Sequence, residues 1–233
     1  MGKVTVVGGK PAMKAPSTGV LASELAVGST VKLMENGVAT EYLVVNQGVP
    51  SNSTKYHSSC DGTWLLRKYV CDADMKYGNT NSYYKNSTIH EYLNGTFLGS
   101  LGTVEQSAIK SVNIPCVDNI NMSSMTITVK ELSARVFLLS VAEVYSFSTL
   151  RSDDGAAMSY FSANGSQVAY KKGASAESKW WLRTPSGTAN VFLGTSATSN
   201  TTAATNTSGV RPALIVPSTA CFDEKTMLLK EAG

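Results

Sequence analysis

Only one small group of side chains in this 233-residue sequence has the residue types and the spacing that could support catalysis or metal binding. His57 stands three residues before Cys60, and Cys71 follows further along the chain. A neighbouring histidine can activate a cysteine as a nucleophile, and with a second cysteine it can hold zinc. No second motif supports either arrangement, and the cysteine spacings match no zinc or redox template.

The remaining ionisable residues do not indicate a reaction either. His90 falls in the first turn of a predicted helix, where a surface or packing role is expected. Asp153 and Asp154 precede a glycine, which is typical of a solvated turn, with a cation site as the alternative. We therefore predict a protein that has no catalytic residues, no cofactor and no bound metal. The cysteines are expected to be buried free thiols: Cys60, Cys71, Cys116 and Cys221.

The most distinctive stretch of the chain carries no charge at all. Thr184–Ser208 consists mostly of Thr, Ser, Ala, Asn and Gly, so it cannot bury enough apolar surface to fold alone. Its two flanks, Trp180–Arg183 and Val210–Val216, are rich in aromatic and branched residues and are predicted to be core strands. Rigid flanks that hold a small polar surface are typical of a binding site. The alternative is a solvated low-complexity loop.

This segment supplies the predicted binding residues, and its flanks supply the predicted framework. Arg183 and Arg211 lie among apolar residues, so each is expected to find a carboxylate or several carbonyls. The alternative for these two residues is an anion-binding pair at the mouth of the site. The predicted structural flank is Trp180, Trp181, Arg183 and Arg211. The side chains predicted to contact ligand are Thr184, Ser186, Thr188, Asn190, Phe192, Thr195, Ser196, Thr198, Asn200, Thr202, Thr205, Asn206 and Ser208.

Composition limits the classes of protein to which this chain can belong. It is 42% hydrophobic and 16% charged, which favours β-rich structure with long loops. The net charge is +3 and the basic residues are scattered, so a nucleic-acid partner is not expected. The N-terminus does not resemble a signal peptide, and no apolar run is long enough to span a membrane.

Local signals predict several elements. Asn36-Gly37 between two β-rich runs predicts a hairpin. Thr88–Phe97 is predicted to be a helix that Thr88 caps with Glu91, and a second helix is expected over Val104–Ser111. Ser111–Pro115 is predicted to be an edge strand that ends at the proline. Ser140 and Glu143 form a second possible capping box.

Five local sequences resemble a known family. Ser59–Lys68, Ser87–Asn94, Val136–Ser140, Trp180–Pro185 and Gly209–Leu214 resemble a domain family of unannotated function from gut bacteria and their phages. The last two pieces also resemble the variable proteins of diversity-generating retroelements, which have a C-type lectin fold. This resemblance implies an α+β, C-type lectin-like domain in which two short helices pack on small twisted antiparallel sheets. The expected core residues are Trp64, Phe137, one of Trp180 and Trp181, and Leu214.

The resemblance also implies a domain organisation and a function. Residues 1–20 would be an extended arm, either a frayed terminus or an attachment to a larger assembly. Residues 21–222 would be the domain, with 184–208 as its variable segment, and residues 223–233 a tail. The protein would be a non-catalytic display module on a phage tail or bacterial surface. Its partner would be a host-cell surface receptor, a protein or a glycan, and it could form homo-oligomers.

Retroelement mutagenesis restricts which residue types a diversified segment can contain, and this restriction can be checked on the sequence. Adenine replacement in an AAC codon cannot produce Lys, Glu, Gln, Met or Trp, and none of these residues occurs in Thr184–Ser208. Two other functions remain alternatives: an architectural virion protein, and a formylglycine-generating type of oxidase. Such oxidases need a reactive cysteine pair late in the domain, where this chain has only Cys221. The sugar-binding motifs of calcium-dependent lectins do not occur either.

Overall fold

The strands of this protein are short and numerous. The structure, a computed structural model, describes residues 19–121, 123–124, 126–145, 152–163, 165–196 and 200–231. The predicted arm at 1–20 lies almost entirely outside the described residues. In chain order the strands are β1 (Gly19–Leu21), β2 (Thr30–Glu35), β3 (Val38–Gln47), β4 (Thr63–Arg67), β5 (Met75–Lys76), β6 (Val112–Asn121), β7 (Thr126–Ala134), β8 (Val136–Phe137), β9 (Trp180–Pro185), β10 (Asn190–Gly194), β11 (Thr201–Ala203), β12 (Thr207–Ser208), β13 (Ala213–Val216) and β14 (Cys221–Asp223).

The helices are shorter still. The α-helices are α1 (Thr88–Tyr92), α2 (Leu98–Ser100), α3 (Thr103–Ala108), α4 (Val141–Val144) and α5 (Ser159–Ser162), and a π-helical turn, Leu93–Phe97, joins α1 to α2. Single 3₁₀ turns occur at Ala22–Glu24, Pro50–Asn52, Ser58–Cys60, Tyr84–Asn86 and Ser152–Asp154. In the part of the chain that the structure describes, no helix has the length and apolar character needed to cross a membrane.

A five-stranded sheet in the order β2-β3-β4-β13-β8 forms the centre of the fold, and its paired strands are antiparallel. Every residue of β13 is buried, which explains why Ala213–Val216 is an unbroken apolar run. The predicted core residues Trp64, Phe137 and Leu214 are fully buried, as are both Trp180 and Trp181. A second sheet, β11-β10-β9, and three two-stranded ribbons, β1-β14, β12-β5 and β6-β7, complete the fold.

The hairpin predicted at Asn36-Gly37 is confirmed. Asn36 and Gly37 have φ angles of 47° and 77°, the left-handed pair that a type I′ turn requires. The turn joins β2 to β3, with Glu35 opposite Val38. Asn36 also donates its backbone N–H to Ser100 O at 2.8 Å, so the turn is fixed to the helical segment beside it.

The first predicted helix exists, but its cap and its shape differ from the prediction. Ser87, not Thr88, is the N-cap, and its Oγ accepts from His90 N at 3.1 Å. The helix widens into a π-helical turn at Leu93–Phe97, and within this turn the Asn94 side-chain amide bonds both the helix, at His90 O, and the chain at the start of β8. Its Nδ2 donates to Val136 O at 2.9 Å, and its Oδ1 accepts from Arg135 N at 2.8 Å. The predicted apolar face is nevertheless buried: Ile89, Leu93 and Phe97.

Two further boundaries were predicted wrongly, while one capping box is confirmed. The second helix is Thr103–Ala108, and Ile109 is already extended. β6 does not end at Pro115 but continues to Asn121. Proline is tolerated there because, among the described strands, β6 pairs with β7 alone, so one edge of the strand needs no N–H donors. Ser140 and Glu143 form the predicted capping box at the start of α4.

The predicted fold class is wrong. Among the described residues, strand residues outnumber helical residues, at 39% against 20%, and they form several small sheets. The α+β arrangement of the C-type lectin type, with two helices packed on a small twisted sheet, is therefore not what the chain adopts. The sequence pieces that suggested it are buried strands and a helix start. Such pieces fix local structure, but they do not fix the order in which strands assemble.

Candidate ligand-binding face

The uncharged segment is not a loop, because it forms most of a three-stranded sheet. β9 enters the segment, β10 returns antiparallel to it, and β11 pairs with β10 from Asn190↔Ala203 to Phe192↔Thr201. Gly194 in β10 lies directly against the Trp180 ring, where a Cβ atom would overlap the indole. The small residues of this segment therefore allow close packing on the tryptophan strand.

Arg183 fixes β9 in place. All of its side-chain nitrogens are bonded: Nη1 and Nη2 each reach a Glu143 carboxylate oxygen at 2.6 Å. The other bonds go to the carbonyl oxygens of Pro115 at 3.0 Å, Leu138 at 2.9 Å and Asp154 at 2.7 Å. Both side chains of the ion pair are fully buried. Arg183 therefore has both the carboxylate and the carbonyl partners that were expected of it.

Glu143 completes the same network from α4. Besides Arg183, its carboxylate accepts from Tyr56 Oη at 2.9 Å and from Ser140 N at 2.8 Å. Burial, followed by the charge of Glu143, raises the pKa of Tyr56 far above its usual value, so the phenol remains a donor. The network therefore connects α4, β9 and the loop before β4 through charge-assisted hydrogen bonds, which are among the strongest in proteins.

Asp154 lies beside this network and explains why Thr184 is not a ligand contact. Thr184 Oγ1 donates to Asp154 Oδ2 at 2.6 Å and accepts from Val141 N at 2.8 Å, and the threonine is fully buried. Asp154 Oδ1 is also buried and has no hydrogen-bond partner among the described residues. Burial raises the pKa of Asp154 to about 6, which opposes the lowering effect of Arg183.

Arg211 has the second structural role that was predicted. Its Nε donates to Arg67 O at 2.8 Å and its Nη2 to Lys68 O at 3.3 Å, and the guanidinium lies 5.0 Å from the centre of the Trp180 ring. Its Nη1 has no partner in the described structure, and burial lowers its pKa to about 10. Arg183 is 0% exposed and Arg211 2%, so the alternative of an anion-binding pair at the mouth of the site is wrong.

Four of the predicted ligand-binding residues are buried, so their side chains face the protein. Besides Thr184, these are Phe192, Thr195 and Ser208. Phe192 belongs to the core, and Ser208 Oγ bonds Lys179 O at 3.0 Å. Phe192 was predicted to contact ligand, but this residue is only 6% exposed and packs in the core.

One carboxylate binds the two residues that directly follow β10. Glu177 accepts from Thr195 Oγ1 at 2.5 Å, from Ser196 N at 2.7 Å and from Ser196 Oγ at 2.9 Å. These bonds, the one from Thr195 above all, lower the pKa of Glu177. Ser196 is exposed but already bonded, and the predicted contact Thr198 lies outside the described residues.

The opposite end of the sheet presents an exposed polar surface. Ala204 N donates to Ala189 O at 2.8 Å, which brings the turn after β9 next to the turn after β11. The exposed predicted residues of these turns are Thr188, Asn190, Thr205 and Asn206, which we call the display face. Of these side chains, only Asn206 has a bond within the described structure, to Thr202 Oγ1 at 2.8 Å. Three other predicted residues are half-buried: Ser186, Asn200 and Thr202.

Sequence reasoning missed a neighbouring loop. Ala204 O accepts from Tyr77 N and Gly78 N at 3.1 Å, and Ser82 N donates to Thr188 O at 3.2 Å. The exposed residues Asn79 and Thr80 lie between these anchors, beside the display face. A compositional signal was present, since 78–82 reads Gly-Asn-Thr-Asn-Ser and carries no charge, like the segment that was singled out.

The residues that could have formed a reactive or metal site bond other groups in the structure. His57 Nδ1 lies 2.9 Å from Ser59 Oγ, and Cys60 Sγ lies 3.2 Å from Asn113 O. Burial raises the thiol pKa of both Cys60 and Cys71 to about 11. Among the described residues, no three His, Cys, Asp or Glu side chains cluster as metal ligands would. All four cysteines are free; Cys60 and Cys116 are buried as predicted, whereas Cys71 and Cys221 are partly exposed.

The fold and the site define a β-rich domain with a buried ionic framework beneath a neutral polar face. Residues 61–218 match the family described as Domain of unknown function (DUF6273). The match covers more than half of the chain, so the chain belongs to this family. It includes Asp154, Arg183, Arg211 and the display face. No curated protein and no solved structure matches the chain.

Proposed function

We propose that this protein is a non-catalytic binding module whose display face contacts a receptor on a cell surface. The observation that supports this most is a contrast within one segment. Thr184 is locked into a buried ionic network, whereas Thr188, Asn190 and Thr205 expose side chains that have no partner in the described structure. A surface of this kind can change its side chains without changing its support.

The chemistry of the face suits a polar ligand. Hydroxyl and amide groups both donate and accept hydrogen bonds, and the four display residues carry no charge. The backbone beneath them is already paired on both sides of β10, so binding would cost little ordering of the chain. Small polar residues on a stiff frame resemble antibody paratopes in this respect. A host receptor, protein or glycan, is the partner we propose, with a phage tail or bacterial surface as the location.

The binding claim can be tested on intact cells. Fluorescently labelled protein is measured by flow cytometry on a panel of gut bacterial strains. We expect binding to some strains and not to others. We also expect its loss in a variant with four substitutions on the display face: Thr188→Ala, Asn190→Ala, Thr205→Ala and Asn206→Ala.

A matched control uses polar residues elsewhere on the surface. Thr128→Ala and Ser133→Ala alter exposed positions of β7, in a ribbon separate from the display sheet, and binding should persist. Binding to none of the strains, or equal binding by the wild type and the display variant, would show that the face does not have this function.

Targeted diversification is a separate part of the proposal, and the coding DNA tests it. We expect a near-copy of the segment close to the gene, differing mainly at adenines, with a reverse-transcriptase gene nearby. Differences among sibling genes should fall on display positions such as Thr188 and Asn206, and spare buried ones such as Thr184. Differences spread evenly along the chain would contradict diversification without contradicting binding.

A further inference from the structure

A second polar site, for which the proposed function has no role, lies at the turn between β2 and β3. Two adjoining hollows of about 250 and 390 Å³ share four lining residues, Glu35, Asn36, Arg67 and Asp72. Together they form one groove, which we call the Arg67 groove. The larger hollow is within the size range of small-ligand sites, roughly 300–1,000 Å³, and the smaller one is just below it.

Arg67 is held rigidly in this groove. Its Nε lies 3.1 Å from each Glu35 carboxylate oxygen, and its Nη1 donates to Tyr69 O at 2.7 Å. Glu35 is fixed in turn by a short hydrogen bond from Tyr42 Oη. The Arg67 side chain is 14% exposed, and no described residue bonds its Nη2. The guanidinium is therefore oriented before any ligand arrives, with both N–H donors of Nη2 unused.

Acceptors and an aromatic ring line the same groove. Asp72 is exposed, and its carboxylate has no bond within the described structure. The Asn36 side-chain amide is exposed as well, on a turn whose backbone is fixed to Ser100. The half-buried Tyr92 ring lines one of the hollows. Fixed donors, free acceptors and an apolar ring thus meet in one concave site.

The charges of the groove narrow the class of ligand. Arg67 is neutralised by Glu35, and Glu41 is neutralised by Lys68 at 3.2 Å. The carboxylate of the groove that has no cationic partner among the described residues is therefore Asp72. Lys172 also lines the second hollow. A strongly anionic ligand would be repelled by the Asp72 carboxylate, and a cationic ligand would be repelled by the unused N–H donors of Arg67 and could not accept from them. A neutral ligand with several hydroxyl groups satisfies both.

From this arrangement we propose that the Arg67 groove binds a neutral polyhydroxylated ring, the chemistry of an uncharged sugar. Two hydroxyl oxygens accept from Arg67 Nη2, and hydroxyl protons bond the Asp72 carboxylate. The C–H face of the ring packs on Tyr92. This site is independent of the display face and does not depend on the function proposed for it.

The test follows the groove directly by NMR. Methyl glycosides of glucose, galactose, mannose and N-acetylglucosamine are each titrated to about 50 mM, well above a millimolar Kd. At least one should shift the amide signals of Asn36, Gly37 and Asp72 and the Nε–H signal of Arg67. Asp72→Ala should raise its Kd about tenfold or more, since a bond to a charged group is lost.

Two controls make the outcome decisive. Glu224→Ala removes another exposed carboxylate and should leave the glycoside Kd unchanged, as should the display-face variant. No shift at the groove with any of these glycosides would overturn the proposal. So would a glycoside Kd that is unchanged in Asp72→Ala, or a groove that responds to inorganic phosphate or to lysine but to none of the glycosides.

Discussion

Replacing Arg183 by methionine would test the buried framework beneath the display sheet. The substitution keeps an apolar stem of similar length but removes a cation that makes two bonds to Glu143 and three to carbonyl oxygens. Glu143 would keep its bonds from Tyr56 and Ser140 but would have no positive partner. Breaking a buried pair from one side costs about 3–5 kcal/mol, because an uncompensated charge remains.

Urea unfolding followed by tryptophan fluorescence measures this cost, since Trp180 and Trp181 lie in the same strand as Arg183. With a slope of about 1–3 kcal/mol per molar urea, the midpoint should fall by at least about 1 M. Two comparisons isolate the cause. Arg183→Met with Glu143→Leu should recover part of the loss, because the buried charge is gone. Lys68→Met, which breaks a half-exposed pair, should cost only about 0–1 kcal/mol.

Two results would refute the reasoning about this network. One is a loss below about 1 kcal/mol in Arg183→Met, which would mean that the ion pair is not buried as described. The other is a double variant that is no more stable than the single one, since the loss would then arise from packing and not from the orphaned carboxylate.

Three further predictions concern Asp154, Asn94 and the display face. Burial raises the pKa of Asp154 to about 6 in the folded state. Between about pH 4 and pH 6 the folded protein therefore keeps a proton on Asp154 that the unfolded chain has already released. Stability should therefore fall by about 3 kcal/mol as pH rises from about 4 to about 6, and an Asp154→Asn variant should lack this slope in urea midpoints measured against pH. Asn94→Ala should cost about 1–3 kcal/mol by thermal unfolding, because Val136 O loses a donor and Arg135 N an acceptor; an unchanged melting temperature would contradict the role given to Asn94 in the π-helical turn. The display-face variant should melt within a few degrees of wild type, since surface substitutions usually change stability by less than about 0.5 kcal/mol each; a large drop would mean that these side chains are structural.

The parts of the structure that sequence predicts well are those set by neighbouring residues. Asn36-Gly37 predicts its hairpin because the turn conformation depends on those two residues alone. The structural role of Arg183 followed from its apolar neighbours, although its partners did not. Glu143 and Asp154 lie 40 and 29 positions away along the chain, and no local pattern connects them to β9.

The errors have the same origin. Ser87 and Thr88 are both hydroxyl residues that could cap α1, and only the geometry around His90 distinguishes them. Thr184 was placed on the binding face because threonine is one of the residue types that make up the uncharged segment. Its burial, however, depends on Asp154, which is distant in the sequence. The prediction of the fold class was wrong for a related reason. Buried strands such as β13 have similar sequences in many folds, and the order of strands is set by long-range pairing.

The proposed binding function depends most on one property of the protein, that the display face can vary while its support cannot. Two libraries of equal size test this claim directly by yeast-surface display with selection for binding to a chosen protein, such as lysozyme. One randomises Thr188, Asn190, Thr205 and Asn206, and the other randomises the buried residues Thr184, Phe192, Thr195 and Ser208. We predict that most members of the first library fold and that some bind the target specifically, whereas most members of the second fail to fold. Equal folding in the two libraries, or no binders from the first, would contradict the claim.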